Sequence, residues 1–115
     1  MSRPPRLSPD EVSAALQALP LWSGDADGLR RSVDLPTFGD AVAAVVRIGF
    51  LAEAMDHHPD VDLRWRTLHL ALVSHSAGGV TELDLELARR IDATLPAQRH
   101  GAVPETADDL RAGPP

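Results

Sequence analysis

The chain has 115 residues, room for one domain of ordinary size. It has no cysteine, which excludes disulfides, thiolate metal sites and a cysteine nucleophile. Its 11 basic residues, all arginine, face 17 acidic ones for a formal net charge of −6. The arginines stand in scattered pairs, so nucleic acid is excluded as the main ligand, since phosphate binding needs a basic face.

The first residues, MSRPPRLSPDE, carry no apolar run after their arginines. No signal peptide is expected there, and residues 1–6 are expected to be disordered. Ser8-Pro9-Asp10-Glu11 opens a helix: Ser8 caps, Pro9 suits the first helical position and Glu11 completes a capping box. Val12, Ala15, Leu16 and Leu19 follow at helical spacing until Pro20. Leu21-Trp22-Ser23 and Leu29 to Leu35 read as strands around a turn at Asp25-Ala26-Asp27-Gly28. In the second of these, Arg31 shares a face with Leu29, Val33 and Leu35, which breaks the alternation.

Thr37 caps a second helix, in which Phe38, Val42, Val45, Gly49 and Ala52 recur every three to four residues among other apolar ones. So wide an apolar face predicts packing on a sheet and on a partner subunit. Arg47 and Glu53 interrupt residues 41–55, which fall short of the roughly 20 that a membrane span needs. Pro59 stops the helix after Met55-Asp56-His57-His58. Residues 61–75 alternate, but Val61, Leu63 and Trp65 are odd while Leu68, Leu70 and Leu72 are even. A one-residue slip moves side chains across a sheet, so a tight hairpin is expected near Arg66-Thr67. After Ser74-His75-Ser76 and Gly78-Gly79, Thr81 and Asp84 begin the last helix, striped by Leu83, Leu87, Ala88, Ile91 and Leu95. From Pro96 the proline- and glycine-rich tail, residues 96–115, is expected to be disordered. The order α-β-β-α-β-β-α over residues 7–95 predicts an α+β domain: a four-stranded antiparallel sheet with three helices on one face.

Four of the five histidines, His57, His58, His69 and His75, lie within nineteen positions. His57 and His58 stand where proline stops a helix, and His75 where a strand gives way to a glycine turn. Element ends are where a rigid scaffold presents functional groups. Three readings are open. A metal site is the weakest, because adjacent histidines on a helix diverge by about 100°. A structural cluster would have His57 capping helix-end carbonyls and His75 hydrogen-bonded in its turn. General acid–base chemistry suits imidazole, which gives and takes protons near neutral pH.

The run Ala52-Glu53-Ala54-Met55-Asp56-His57-His58-Pro59, then Trp65, Leu72-Val73-Ser74-His75, Gly79-Val80-Thr81 and Asp84, resembles the pterin-4a-carbinolamine dehydratases. The likeness extends upstream through Leu7-Ser8, Trp22, Phe38 and Ala41. Ser74 stands for the family's usual threonine and Trp65 for an aromatic that is often tyrosine. The resemblance implies dehydration of 4a-hydroxytetrahydrobiopterin to a quinonoid dihydropterin, without metal or cofactor. It makes His57, His58 and His75 catalytic, with His57 and His75 first in line as acid and base. Asp56, Pro59, Ser74 and Ser76 join the histidines as substrate-binding residues, and Glu53, Asp84 and Trp65 support them. For Asp84 a bland role as a first-turn carboxylate weighs equally. His69 is expected to be structural or solvated and His100 to have no specific role. The resemblance also implies a cytoplasmic homodimer or homotetramer, with a link to an aromatic amino acid hydroxylase. The competing reading is a non-catalytic binding or assembly protein on the same fold.

Overall fold

The computed structural model describes residues 3–96; the rest of the expected tail, with His100, lies outside them. The first helix, α1 (Pro9–Gln17), starts on the expected capping box: Ser8 Oγ accepts the Glu11 N–H (3.1 Å) and Glu11 Oε1 accepts the Ser8 N–H (2.9 Å). Strands β1 (Ser23–Asp25) and β2 (Gly28–Asp34) form a hairpin closed by Ala26-Asp27. Trp22 therefore precedes the strand instead of belonging to it. Helix α2 (Phe38–Met55) is followed by β3 (Asp60–Arg64), β4 (Thr67–Leu72), a 3-10 turn (His75–Ala77) and α3 (Glu82–Thr94).

The sheet is antiparallel with strand order β1-β2-β4-β3, so β2 and β4 are central. Period-2 alternation turns Leu29 and Val33 of β2, and Leu68, Leu70 and Leu72 of β4, toward the helices, where all five are buried. Val12 of α1, Ala41, Ala44 and Ile48 of α2, and Leu85, Leu87, Ala88 and Ile91 of α3 complete one core. The phase change in residues 61–75 is resolved by a two-residue turn at Trp65-Arg66. Trp65 takes φ 54°, unusual for a residue with a side chain. The Arg66 guanidinium lies 4.9 Å from the Trp65 ring centre and donates to the Leu35 carbonyl (2.8 Å).

Arg31 points inward, which accounts for the broken alternation of β2. Its side chain is buried, donates Nη1–H to Asp92 Oδ1 (2.7 Å), and donates a second bond to the Pro96 carbonyl. Asp92 also accepts the Trp22 indole N–H (2.8 Å), so one carboxylate of α3 ties down two large side chains. Desolvation lowers the Arg31 pKa from its usual value, against the opposing pull of Asp92. The apolar breadth of α2 divides in two. Ala41, Ala44, Ile48 and Ala52 face the core, whereas Phe38, Val42, Val46 and Phe50 form an exposed stripe at i, i+4 spacing, with Phe50 73% exposed.

Candidate active site

Three element ends converge at one edge of the sheet. At the end of α2, Asp56 adopts the left-handed conformation (φ 49°, ψ 44°), which aspartate tolerates better than most residues. Its N–H closes the helix on Glu53 (3.2 Å) and the next N–H, of His57, returns to Ala52 (3.1 Å). Helix closure thus aims His57 back into the domain, and Pro59 prevents further winding. Beyond β4, Ser74 and Gly79 pair as an isolated bridge around the 3-10 turn that begins at His75. Gly79 admits no side chain: a Cβ would stand 2.6 Å from the Ala26 carbonyl oxygen and 2.7 Å from Arg6 Nε. Two residues later Thr81 caps α3.

Asp84, fully buried in the first turn of α3, joins these ends. Its Oδ2 accepts the Thr81 N–H (2.9 Å) and the Ser74 hydroxyl (2.8 Å). Its Oδ1 lies 2.6 Å from His57 Nε2. Thr81 Oγ1 accepts the Leu83 N–H (3.2 Å) and donates to Ser74 Oγ (2.8 Å), which leaves the serine proton for Asp84. Every donor in this chain is spent in one direction. An ionised carboxylate only accepts, so the His57–Asp84 bond keeps a proton on Nε2, and in a neutral imidazole Nδ1 is then the nitrogen that accepts. One oxygen of Asp84 thus completes a helix cap and the other meets a histidine.

The cleft in front of this network has a volume of about 290 Å³, and its walls include Asp56, His57, His58, Ser74, His75 and Ser76. His57 is buried, whereas His58 and His75 are exposed at the mouth. His58 Nε2 lies 3.0 Å from Glu53 Oε1, an exposed pair whose energetic worth is about 0–1 kcal/mol. No three His, Cys, Asp or Glu side chains among the described residues are grouped to hold a metal ion.

The structure thus brings together six of the expected site residues, with Asp84 behind them. Pro59 follows directly in the chain but is not part of the wall, and Glu53 reaches the site only through His58. Trp65 lies in the β3–β4 turn, at the opposite end of β4 from His75, and its ring serves Arg66 instead of the cleft. His69 is on the helix-free face of the sheet, 2.7 Å from Ser32 Oγ. Four wall residues are not among the expected site residues: Arg3, Pro4, Val73, which the resemblance quoted only as part of a motif, and Leu83, expected only in the stripe of the last helix. Thr81 was legible only as a helix cap. Adjacency to Ser74 and Asp84 could have flagged Val73 and Leu83, but nothing local marks Arg3 or Pro4.

Residues 5–94 match the profile of the family described as pterin 4 alpha carbinolamine dehydratase. A protein of Mycolicibacterium smegmatis, provisionally named a pterin-4-alpha-carbinolamine dehydratase, is 54% identical over 89 residues, covering 77% of this chain and 95% of the relative. One from Roseiflexus with the same provisional name is 46% identical over 90 residues, covering 78% and 97%. Among solved structures, a transcriptional coactivator/pterin dehydratase from Brucella melitensis superimposes with a TM-score of 0.73 at 33% identity, over 76% of this chain and 96% of that one. A pterin dehydratase-like RuBisCO assembly factor of the alpha-carboxysome shares the fold at a TM-score of 0.52 and 19% identity, over 63% of this chain and 83% of that one.

Proposed function

Because the chain belongs to the pterin 4 alpha carbinolamine dehydratase family, we propose that it eliminates water from a 4a-hydroxytetrahydropterin, with His57, His58 and His75 as its acid–base centre. The observation that carries this reading is the His57–Asp84 contact of 2.6 Å at the back of an open cleft. Elimination breaks the C4a–O bond: one group protonates the departing hydroxyl and another takes the proton from the neighbouring ring nitrogen. Water and the quinonoid dihydropterin result, with no change in electron count, so no redox carrier is required.

His57 is suited to take the proton. Its Nδ1 holds a lone pair, and Asp84 places a negative charge beside the ring that becomes positive on protonation. His75, exposed on the wall of the same cleft, delivers a proton to the leaving oxygen in this reading and exchanges it with water. His58, paired with Glu53, binds the substrate or serves the opposite C4a stereoisomer. Asp56, Ser74 and Ser76 line the cleft as substrate contacts, although Ser74 acts mainly through Asp84. The pterin oxidised by an aromatic amino acid hydroxylase is the expected source of substrate, in the cytoplasm; no helix among the described residues is long and apolar enough to cross a membrane.

The exposed stripe of α2 supports association into a homodimer or homotetramer. It also keeps open a second reading, a non-catalytic binding or assembly protein on the same fold, a fold that the alpha-carboxysome RuBisCO assembly factor shares. One measurement separates the two. Stopped-flow dehydration of freshly generated 4a-hydroxytetrahydropterin should be accelerated by the wild type and slowed roughly 10²- to 10⁴-fold by His75→Ala, the usual worth of a positioned acid or base. His69→Ala should stay within a few-fold. No acceleration by the wild type for either C4a stereoisomer would replace catalysis by the binding role.

A further inference from the structure

The segment before α1 runs along the cleft. Leu7 N–H donates to the Val80 carbonyl (2.8 Å), and Arg6 donates to the Gly78 carbonyl and to Asp27 Oδ1 (2.8 Å). From that anchor Pro4-Pro5, whose φ angles are restricted, leads to Arg3 at the other rim. There Arg3 Nη2 reaches the Asp56 carbonyl (3.2 Å) and Asp56 Oδ2 (3.3 Å). Arg3 and Pro4 are both part of the cleft wall. The arm therefore joins the loop that carries His75 to the turn that carries His57 and His58.

We infer that this arm is part of the pterin site and that Arg3 binds the substrate, an inference that rests on the pterin reading above. The donor inventory of the cleft supports it. Ser74, Thr81 and His57 Nε2 spend their protons inside the Asp84 network. Among the described residues Arg3 engages only Asp56, through Nη2, and its side chain is 48% exposed, so Nε and Nη1 keep N–H groups for a ligand. Beside it, the 85% exposed carboxylate of Asp56 keeps acceptor capacity. A guanidinium next to a carboxylate is complementary to a cyclic amide, which presents a carbonyl oxygen beside an N–H. The pyrimidine ring of a pterin carries that pair at C4=O and N3–H. Arg3 donates to the oxygen and Asp56 accepts from the nitrogen, which orients the ring and leaves C4a toward the histidines.

The test uses the full chain, an Arg3→Ala variant and a variant lacking residues 1–5, with the Arg6 anchor kept in both. Two probes are titrated by fluorescence: 7,8-dihydropterin, and a 2,4-diaminopteridine in which an amine replaces the C4 oxygen. Both variants should bind dihydropterin about tenfold more weakly, the scale of a hydrogen bond to a charged group. They should bind the diamino probe as the wild type does, and melt as it does. In turnover, KM should rise by a similar factor with kcat within threefold, the mark of an interaction made equally in ground and transition states. Dihydropterin affinity within twofold of wild type in both variants, or equal weakening for both probes, would overturn the inference. A wild type that binds dihydropterin without dehydrating its substrate overturns the catalytic reading alone, and Arg3 is then judged on affinity. A wild type that binds neither probe overturns both.

Discussion

Replacing Asp84 by asparagine tests the site at its most constrained atom. The side chain keeps its shape, but one of its two acceptor oxygens becomes an NH₂ donor. The Thr81 N–H cannot reverse polarity, and the Ser74 proton is directed to the same oxygen, so the amide oxygen takes the Oδ2 position. The NH₂ then faces His57 Nε2 across the 2.6 Å now held by Oδ1. Two donors do not share that distance, so His57 must surrender the Nε2 proton and carry it on Nδ1. The nitrogen left for the substrate changes from acceptor to donor. Losing a correctly poised base costs roughly 10²- to 10⁴-fold in rate, about 3–5 kcal/mol of barrier at 1.4 kcal/mol per decade. Three charge-assisted bonds become neutral ones, at about 1 kcal/mol each. A neutral amide is less costly to bury than a carboxylate, so the net stability loss should be about 1–2 kcal/mol and the domain should still fold. Single-turnover dehydration gives the rate, urea denaturation the stability, and ¹⁵N NMR of the His57 ring the tautomer. A variant within threefold of wild-type rate, or one whose His57 keeps its Nε2 proton, would refute this account.

Asp92→Ala should destabilise the domain by roughly 3–5 kcal/mol in urea denaturation, because it leaves the buried Arg31 guanidinium without its carboxylate. Replacing Arg31 by Met in that background should recover most of the loss, and failure to recover would mean that Asp92 acts mainly through Trp22. Phe50→Asp puts a charge in the exposed stripe of α2 and should reduce the mass seen by light scattering to that of one chain while leaving helix content unchanged. An unchanged mass would assign association to another surface. Hydrogen bonds from Arg90 and then Arg89 hold the Glu86 carboxyl below the usual glutamate pKa. Its folded pKa is depressed, so its contribution to stability is present above the unfolded pKa and lost as pH falls through the folded one. In ¹³C NMR, Arg90→Ala should shift the Glu86 titration upward, and no movement would assign the depression to Arg89.

The sequence by itself determined the kind and order of the elements. Ser8 with Glu11 and Thr81 with Asp84 are capping signals complete within four residues, and both helices begin where those signals stand. The phase change between Leu63 and Leu68 located the second hairpin, because alternation along a strand is also local. The same economy made the histidines legible: a helix stopped by Pro59 and a strand ended before Gly78-Gly79 mark element ends from sequence alone. What joins those ends is not local. His57 meets Asp84 across 27 positions, Arg31 meets Asp92 across 61, and Arg3 meets Asp56 across 53. Trp65, matched as part of the site from its place in the chain, was carried away by the hairpin whose turn it makes. Pattern reading assigns a side chain to a face or an element end, but which faces meet depends on strand order and on how the helices cross the sheet. Only the tertiary structure, by setting β2 and β4 at the centre and laying α3 beside α2, made Asp84 both the cap of one helix and the partner of the histidine that ends the other.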